Sequence, residues 1–284
     1  MRWRNRRQSS NVEDRRGSSG RKIAVGGGLG GIVVIILYLL LGGNLGDNAP
    51  DIQLSPQVDI PTENRPLTAE EQDARAFVSV VLADTEDVWN VLFERQGKSY
   101  LEPQLVLFTD LTTSGCGAAR SASGPFYCPG DRTIYIDLGF FAEIQERLKA
   151  PGDFAMAYVI AHEVGQHVQN QLGIIERVMS LRERMSEREF NQVQVRLELQ
   201  ADFLAGVWAH HAQRMQDILE EGDIEEGINA AGAVGDDRIQ RMTQGYVVPD
   251  SFTHGTSEQR TRWFIKGLRS GDISQGDTFT MNDL

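Results

Sequence analysis

The sequence predicts an α+β protein in which one transmembrane helix precedes a mostly helical domain with a small sheet. Three observations lead to this prediction. A run without charged side chains extends from Ile23 to Gly46, two β-rich segments lie near the middle of the chain, and capped segments with helical spacing fill most of the second half. The 284 residues suffice for one such domain together with an anchor and tails.

The chain before the apolar run is strongly basic. Residues 1–22 carry eight Arg and Lys side chains against Glu13 and Asp14. Basic residues that precede a spanning helix favour the cytoplasmic side of the membrane. We therefore expect residues 1–22 to form a disordered tail in the cytoplasm.

The apolar run is long enough to cross a bilayer, because a spanning helix needs about 20 mostly apolar residues. We assign residues 23–45 to a single helix in the cytoplasmic membrane. A cleaved signal peptide is the alternative, but the long basic region and the lack of a clear cleavage site favour an uncleaved anchor. Residues 46–66, which include four prolines, then form a linker, and residues 67–284 form a domain outside the cytoplasm.

The charge of the remaining chain excludes one class of partner. The whole chain has a formal net charge of −12 although its first 22 residues are basic. The rest of the chain is therefore strongly acidic and would repel the phosphates of a nucleic acid. We expect no nucleic-acid partner.

The domain is predicted to begin with a long helix, followed by the sheet. Thr68 starts a capping box, and helical spacing continues over residues 69–95. Residues 104–109 and 133–138 are rich in β-branched and other apolar side chains, which is typical of strands.

Two cysteines, Cys116 and Cys128, lie between the predicted strands in a segment rich in Gly, Ser and Pro. In an oxidising compartment, a disulfide that closes this loop is plausible. Two free thiols are the alternative. The pair makes a poor zinc knuckle, because the two cysteines are far apart and have no neighbouring Cys or His.

The second half of the chain is predicted to be helical. Asp153 can cap a helix over residues 154–172 that Gly173 ends, and Ser186 starts a capping box for a long helix to about Met215. The remaining predicted helices are Ile218–Glu221, Ile224–Val234, Asp236–Gln244 and Ser257–Leu268.

The first of these helices carries a His-Glu pair, His162 and Glu163. In one type of zinc site, histidines at i and i+4 share a helix face and bind the metal, and the glutamate beside the first histidine activates water. Here position i+4 is Gln166, and the next histidine is His167 at i+5. At about 100° per residue, His167 points away from the face of His162 in a regular helix, whereas Gln166 lies on it.

The later long helix supplies matching carboxylates. Glu198 and Asp202 are one turn apart and therefore share a face, and their apolar neighbours predict a buried helix. A glutamate in this place is the third protein ligand of a zinc site with two histidines and one glutamate. The aspartate can orient a ligand histidine through its other ring N–H.

The chain resembles the bacterial neutral zinc metallopeptidases almost from end to end. The resemblance implies a zincin-like fold, one zinc ion, peptide or protein substrates, and a single membrane anchor. The segments that carry it are Met1–Trp3, Asn11–Arg16, Thr85–Trp89, Gly115–Cys116, Gly124–Cys128, Val159–Gly165, Glu198–Asp202, Gly206–Trp208 and Asp250–Ser257.

The chain departs from the family pattern at one position. The pattern reads His-Glu-x-Gly-His-His, and Gln166 stands in place of its second histidine. Three interpretations follow: Gln166 is a weaker third ligand, a π-bulge turns His167 onto the metal face, or the site is inactive. The resemblance carries over directly for His162, Glu163 and Glu198.

Two further residues are candidates for stabilising the negative charge that develops when water attacks a peptide carbonyl. His254 lies in a loop with neighbouring Gly and Thr, and Arg260 follows it in the last predicted helix. A structural role in the loop is the alternative for His254. A surface salt bridge, which would contribute little to stability, is the alternative for Arg260.

The sequence thus predicts a zinc-dependent metallopeptidase at the outer face of the cytoplasmic membrane. We expect His162, Glu198 and either Gln166 or His167 to bind the metal, with Glu163 as the general base. The alternative is a membrane-anchored, catalytically impaired pseudo-peptidase that binds peptides or proteins.

Overall fold

The computed structural model describes most of the predicted domain and the first part of the chain. The described residues are 1–16, 66–120, 124–281 and 284. The transmembrane helix predicted for residues 23–45, and nearly all of the linker predicted for residues 46–66, lie outside these ranges. Within the ranges, no helix combines the length and the apolar composition that a membrane-crossing segment needs.

Helices make up most of the described chain, as predicted for a mostly helical α+β protein. The helices are α1 (Ala69–Glu94), α2 (Gly139–Glu146), α3 (Asp153–Gln171), α4 (Ile174–Met179), α5 (Glu187–Gln216), α6 (Asp223–Ala233), α7 (Asp236–Gln244) and α8 (Ser257–Ser270). The strands are β1 (Val12–Asp14), β2 (Gln104–Phe108), β3 (Leu111–Ser114), β4 (Gly117–Arg120), β5 (Phe126–Cys128) and β6 (Thr133–Asp137).

The longer predicted helices are confirmed, and their ends agree to within a few residues. Thr68 and Ser186 both cap their helices through complete capping boxes. The helix predicted over Ile218–Glu221 is wrong, because Asp217 ends α5 with a left-handed φ of 52° and the next residues are not helical. The short elements β1, β3, β4, β5 and α2 were not predicted, because each has too few residues to show a period.

The main sheet has four strands in the order β1-β2-β6-β5. β1, β2 and β6 run parallel to one another, and β5 is antiparallel to β6. The two strands predicted from the sequence, β2 and β6, are therefore neighbours, with Leu105 opposite Ile134. Between them the chain forms the antiparallel hairpin of β3 and β4 and then β5, which gives it the length that a parallel pair requires.

Residues 1–16 fold onto the domain, so the prediction of a disordered tail is wrong for them. β1 pairs with β2, and Trp3 packs edge-on against Phe77 of α1 with 5.5 Å between the ring centroids. The high charge of this segment suggested disorder, but carboxylates of the domain pair with its arginines.

Two buried helices, α3 and α5, form the centre of the domain. They approach closely at Gly165 of α3, where a β-carbon would lie 2.9 Å from the carbonyl oxygen of Ala201. Gly206 of α5 and Gly267 of α8 make a second close approach between backbones. Glycines therefore set the spacing of the three helices.

We expect Gly206→Ala to destabilise the protein by about 1–3 kcal/mol, which is the usual cost of overpacking an interior. The new β-carbon would overlap the backbone of Phe264 and Leu268. Chemical denaturation measures the change in the free energy of unfolding. Gly232→Ala in α6 is the control, because its β-carbon would meet the side-chain oxygen of Thr261 at 3.3 Å and no backbone. Equal stability of the two variants would contradict the importance of the approach between α5 and α8.

Candidate metal centre

Helices α3 and α5 face each other. The residues that were predicted to bind and orient a metal lie on these facing sides. His162 and Gln166 lie on α3, and Glu198 and Asp202 lie on α5. His162 and Asp202 are buried, and Gln166 and Glu198 are half-buried. The close approach at Gly165 brings these side chains within contact distance.

Three polar groups converge between the two helices. His162 Nε2 lies 3.1 Å from Glu198 Oε2. The side-chain amide nitrogen of Gln166 lies 3.4 Å from His162 Nε2 and 3.1 Å from Glu198 Oε1. The structure thus brings together three of the four residues predicted as metal ligands.

His167, the fourth predicted ligand, points away from this cluster. Its Nε2 donates to the carbonyl oxygen of Leu101 at 2.6 Å, and its Nδ1 lies 3.0 Å from the hydroxyl of Tyr127. α3 is α-helical throughout, so the prediction that a π-bulge turns His167 onto the metal face is wrong. Burial lowers the pKa of His167 to about 4 and keeps the ring neutral.

The other nitrogen of the His162 ring is held by Asp202. His162 Nδ1 lies 2.8 Å from Asp202 Oδ1. Because a carboxylate can only accept here, Nδ1 carries a proton and Nε2 faces Glu198 and Gln166. Burial alone would raise the pKa of Asp202, but Arg260 and His162 outweigh it and lower the pKa to about 2. Asp202 therefore stays charged.

The charge of His162 follows from the two carboxylates beside it. Burial lowers the pKa of His162, but Asp202 and Glu198 outweigh this effect and raise the pKa to about 10. Without a metal, the ring is therefore protonated on both nitrogens. A metal bound at Nε2 would displace one of these protons.

Glu163 lies beside the cluster with one unpaired oxygen. Its Oε2 is buried and has no hydrogen-bond partner among the described residues. Burial raises the pKa of Glu163 to about 7, although a hydrogen bond with the backbone of Tyr127 in β5 partly opposes the shift. Buried polar atoms are normally paired, so this oxygen keeps an unused acceptor position beside the cluster.

Arg260 lies on the Asp202 side of His162, away from the three converging groups. Its Nε and Nη2 donate to the two carboxylate oxygens of Asp202 at 2.8 and 2.9 Å. Tyr158 donates to the same carboxylate at 2.5 Å. Arg260 thus forms a buried ion pair and not a surface one. Tyr158 was not predicted, although it precedes His162 by one turn and the spacing places both on one face of α3.

His254 is held by Asp236, a residue that no sequence pattern indicated. The backbone N–H groups of Thr253, His254 and Gly255 donate to Asp236 Oδ2 at 2.8, 2.7 and 3.1 Å. His254 Nδ1 lies 3.2 Å from Asp236 Oδ1. Burial lowers the pKa of His254, but Asp236 and Glu198 outweigh it and raise the pKa. His254 is therefore close enough to Glu198 for their charges to interact.

The predicted disulfide is present. Cys116 and Cys128 are joined by an S–S bond of 2.06 Å. The bond connects the turn between β3 and β4 to the end of β5. Because Tyr127 precedes Cys128 and contacts His167 and Glu163, the disulfide holds the strand that borders the cluster.

Comparison with known proteins identifies the family. Residues 1–279 match the family described as "Putative neutral zinc metallopeptidase". The chain belongs to this family. Protein YpfJ of Escherichia coli is 49% identical over 285 residues, which cover 98% of this chain and 99% of YpfJ. Protein Rv2575 of Mycobacterium tuberculosis is 39% identical over 222 residues, which cover 75% of this chain and 74% of Rv2575. No solved structure matches the chain.

The converging groups of this family member fit the metal that the family implies. An imidazole nitrogen from His162 and a carboxylate from Glu198 are among the preferred zinc donors. The amide of Gln166 can present its oxygen by rotation about its last side-chain bond, which exchanges the positions of oxygen and nitrogen. Three protein ligands leave a fourth position for water or substrate.

We expect Arg260→Ala to destabilise the protein by about 3–5 kcal/mol, because it removes the guanidinium that pairs with both oxygens of the buried carboxylate of Asp202. Denaturant-induced unfolding measures the change. Arg188→Ala is the control: Arg188 lies 3.1 Å from Asp250, but both side chains are largely exposed, and exposed ion pairs contribute little. If both variants unfold at the same denaturant concentration, Asp202 does not depend on Arg260.

Proposed function

We propose that this domain is an active metallopeptidase with one zinc ion bound by His162, Glu198 and Gln166. One observation carries the proposal: an imidazole, a carboxylate and an amide from these residues lie within 3.1–3.4 Å of one another between two buried helices. Zinc, when bound, supplies the Lewis acid for peptide hydrolysis. Asp202 keeps the ring of His162 in the orientation that binding requires.

Glu163 is the general base in this proposal. It follows His162 directly, and its buried Oε2 has no partner within the described chain, so it can accept a proton from the attacking water. Glu163 then delivers this proton to the nitrogen of the leaving amine. A C–O bond forms at the peptide carbonyl, the C–N bond breaks, and one proton moves from water to the amine.

His254 is our candidate for stabilising the negative charge on the carbonyl oxygen during this step. Its position is supported by the hydrogen bonds that hold its loop on Asp236. The neighbouring carboxylates of Asp236 and Glu198 favour the charged ring. Arg260 has a different role, because it binds Asp202, and Asp202 in turn orients the ring of His162.

The surroundings of Glu163 favour an extended peptide as the substrate. Within the described chain, β5 is an end strand of the four-stranded sheet, and the backbone of its Tyr127 hydrogen-bonds with Glu163. An end strand can pair with an extended peptide through main-chain hydrogen bonds. Such pairing would bring the peptide backbone next to the general base and would depend little on the substrate sequence.

A pseudo-peptidase that binds peptides or proteins is the second candidate, and one observation favours it. The amide of Gln166 donates to Glu198, and Glu198 also contacts His162. The three side chains therefore satisfy one another without a metal. In addition, an amide oxygen is a weaker zinc donor than an imidazole nitrogen.

We place the domain outside the cytoplasm in this proposal. The disulfide between Cys116 and Cys128 supports this location, because such bonds persist in oxidising compartments. Both cysteines of the chain are used in the bond.

Zinc binding tests the ligands. We expect the purified protein to bind one zinc ion, and Gln166→His to raise its affinity about 10- to 100-fold, the scale on which residues around a metal act. Competition with a chromophoric chelator measures the affinity. His167→Ala is the control and should leave the affinity unchanged, because that ring binds Leu101 and Tyr127.

Two results of this experiment would contradict the proposal. Zinc binding that survives both His162→Ala and Glu198→Ala would exclude these residues as ligands. A protein that binds no zinc, and gains zinc only with Gln166→His, would be the pseudo-peptidase.

The role of Glu163 is tested separately. We expect Glu163→Gln to lower the kcat for cleavage of a quenched fluorescent peptide about 10²–10⁴-fold, because glutamine has nearly the same shape but cannot accept the proton. The zinc content should stay the same. Glu176→Gln, at an exposed position of α4, is the control. A zinc-loaded Glu163→Gln variant with unchanged kcat would exclude Glu163 as the base.

A further inference from the structure

We infer that residues 1–16 are an integral part of the metallopeptidase domain and lie on the same side of any membrane as residues 66–284. Contacts of the first segment with β2 and α1 support this placement. None of these contacts involves a candidate zinc ligand, so they hold equally for a pseudo-peptidase.

The backbone of the segment completes the sheet. Leu105 N donates to the carbonyl oxygen of Asn11, and Arg15 N donates to that of Leu107, each at 2.8 Å. β2, to which β1 is bound, is buried from Leu105 to Phe108. Without β1, an apolar strand would present its unpaired N–H and C=O groups at the edge of the sheet. The domain therefore needs this strand.

Apolar side chains of the segment belong to the core of the domain. Met1 is 6% exposed and Val12 is 9% exposed, and both are part of the main apolar cluster. Trp3 packs against the same cluster and meets Phe77 of α1. Separation of the segment would expose this apolar surface to water, which is unfavourable.

The charges of the segment match those of α1. Arg6 Nη2 lies 2.6 Å from Asp84 Oδ1, and Arg7 Nη1 lies 2.9 Å from Glu86 Oε2. The side chains of Asp84 and Glu86 are only 3% and 2% exposed. Buried carboxylates require a cation or hydrogen-bond donors nearby. In the described chain, the first segment supplies the arginine that each of them contacts.

The segment ends beside the start of α1. Arg16 Nη2 donates to the carbonyl oxygen of Glu71 at 3.1 Å, and Arg75 Nε lies 3.9 Å from Asp14 Oδ2. Residue 16, where the first described range ends, and the beginning of α1 are therefore neighbours on one folded body. A single crossing of the membrane between them would put these contacts on opposite faces of a bilayer about 30 Å thick.

The same contacts give the basic residues a second explanation. Their position before an apolar run predicted a cytoplasmic N-terminus. The structure pairs four of them with carboxylates of the domain: Arg2 with Asp217, Arg4 with Asp73, Arg6 with Asp84, and Arg7 with Glu86 and Asp87. Arginines neutralised in this way no longer require the cytoplasmic side of the membrane. We therefore replace the predicted cytoplasmic location of residues 1–16 with the side on which the domain lies.

A cross-link in living bacteria tests the inference. Arg4 and Asp73 form an exposed ion pair, with 2.8 Å between Nη1 and Oδ1, so Arg4→Cys with Asp73→Cys places two thiols at neighbouring positions that a short cross-linker can join. The full-length double variant carries a protease site between residues 46 and 66 and is treated with a short, membrane-permeant bismaleimide. Cys116 and Cys128 do not react because they form a disulfide. The single-cysteine variants are the controls.

On a denaturing gel, we expect the first segment to stay attached to the domain after protease cleavage of the double variant and to be released in both controls. The cross-link should form within one chain, since docking gives the two thiols an effective concentration on the order of millimolar or more. Cross-linked dimers in place of monomers would overturn docking within the chain.

A second measurement covers the case in which the cross-link fails for chemical reasons. The single-cysteine variants at positions 4 and 73 are labelled with a membrane-impermeant maleimide, first in intact cells and then in inverted membrane vesicles. We expect both positions to be labelled in the same preparation. Labelling of position 4 in one preparation and position 73 in the other would overturn the inference.

Discussion

The arrangement of the candidate site depends on the close approach of α3 and α5. Gly165 has no side chain at the point where these helices meet, so the backbone at Ala201 comes into contact with α3. This spacing lets His162 and Gln166 from one helix and Glu198 from the other reach the same point. Because helices are rigid, the separation of the functional atoms is set by packing and not by the conformation of a loop. The three side chains are therefore close together, and only the Gln166 amide would have to rotate to present its oxygen to a metal.

A buried ion pair extends this arrangement to a third helix. Arg260 of α8 binds both oxygens of Asp202 on α5, and Asp202 holds His162 on α3. Burial of these groups is costly unless each has its partner, and Tyr158 supplies one more donor. The orientation of the histidine therefore depends on correct packing of all three helices. Arg260 can therefore affect how the ring of His162 faces Glu198 and Gln166, although Arg260 lies on the other side of that ring.

The N-terminal segment shows how one charge pattern can have two physical causes. Arginines before an apolar run are typical of a cytoplasmic tail, and they are equally suited to pair with an acidic surface. The contacts that distinguish the two causes are those of Arg6 and Arg7 with Asp84 and Glu86, whose carboxylates are buried on α1. The segment and α1 thus satisfy each other's charges while β1 covers the edge of β2. These contacts are the basis on which we infer that residues 1–16 and the domain share one side of any membrane.

The amino-acid sequence by itself determined the long helices, the strands β2 and β6, and the pairing of His162 with Glu198. It could do so because residue spacing decides which side chains share a helix face and because caps mark where helices begin. Only the tertiary structure decided that Gln166 joins the cluster while His167 turns to Leu101, and that Arg260 binds Asp202. It alone also revealed Asp236 beneath His254 and β1 beside β2. These contacts join residues that are far apart in the chain, and their geometry arises from how whole helices and strands pack, which no local pattern encodes.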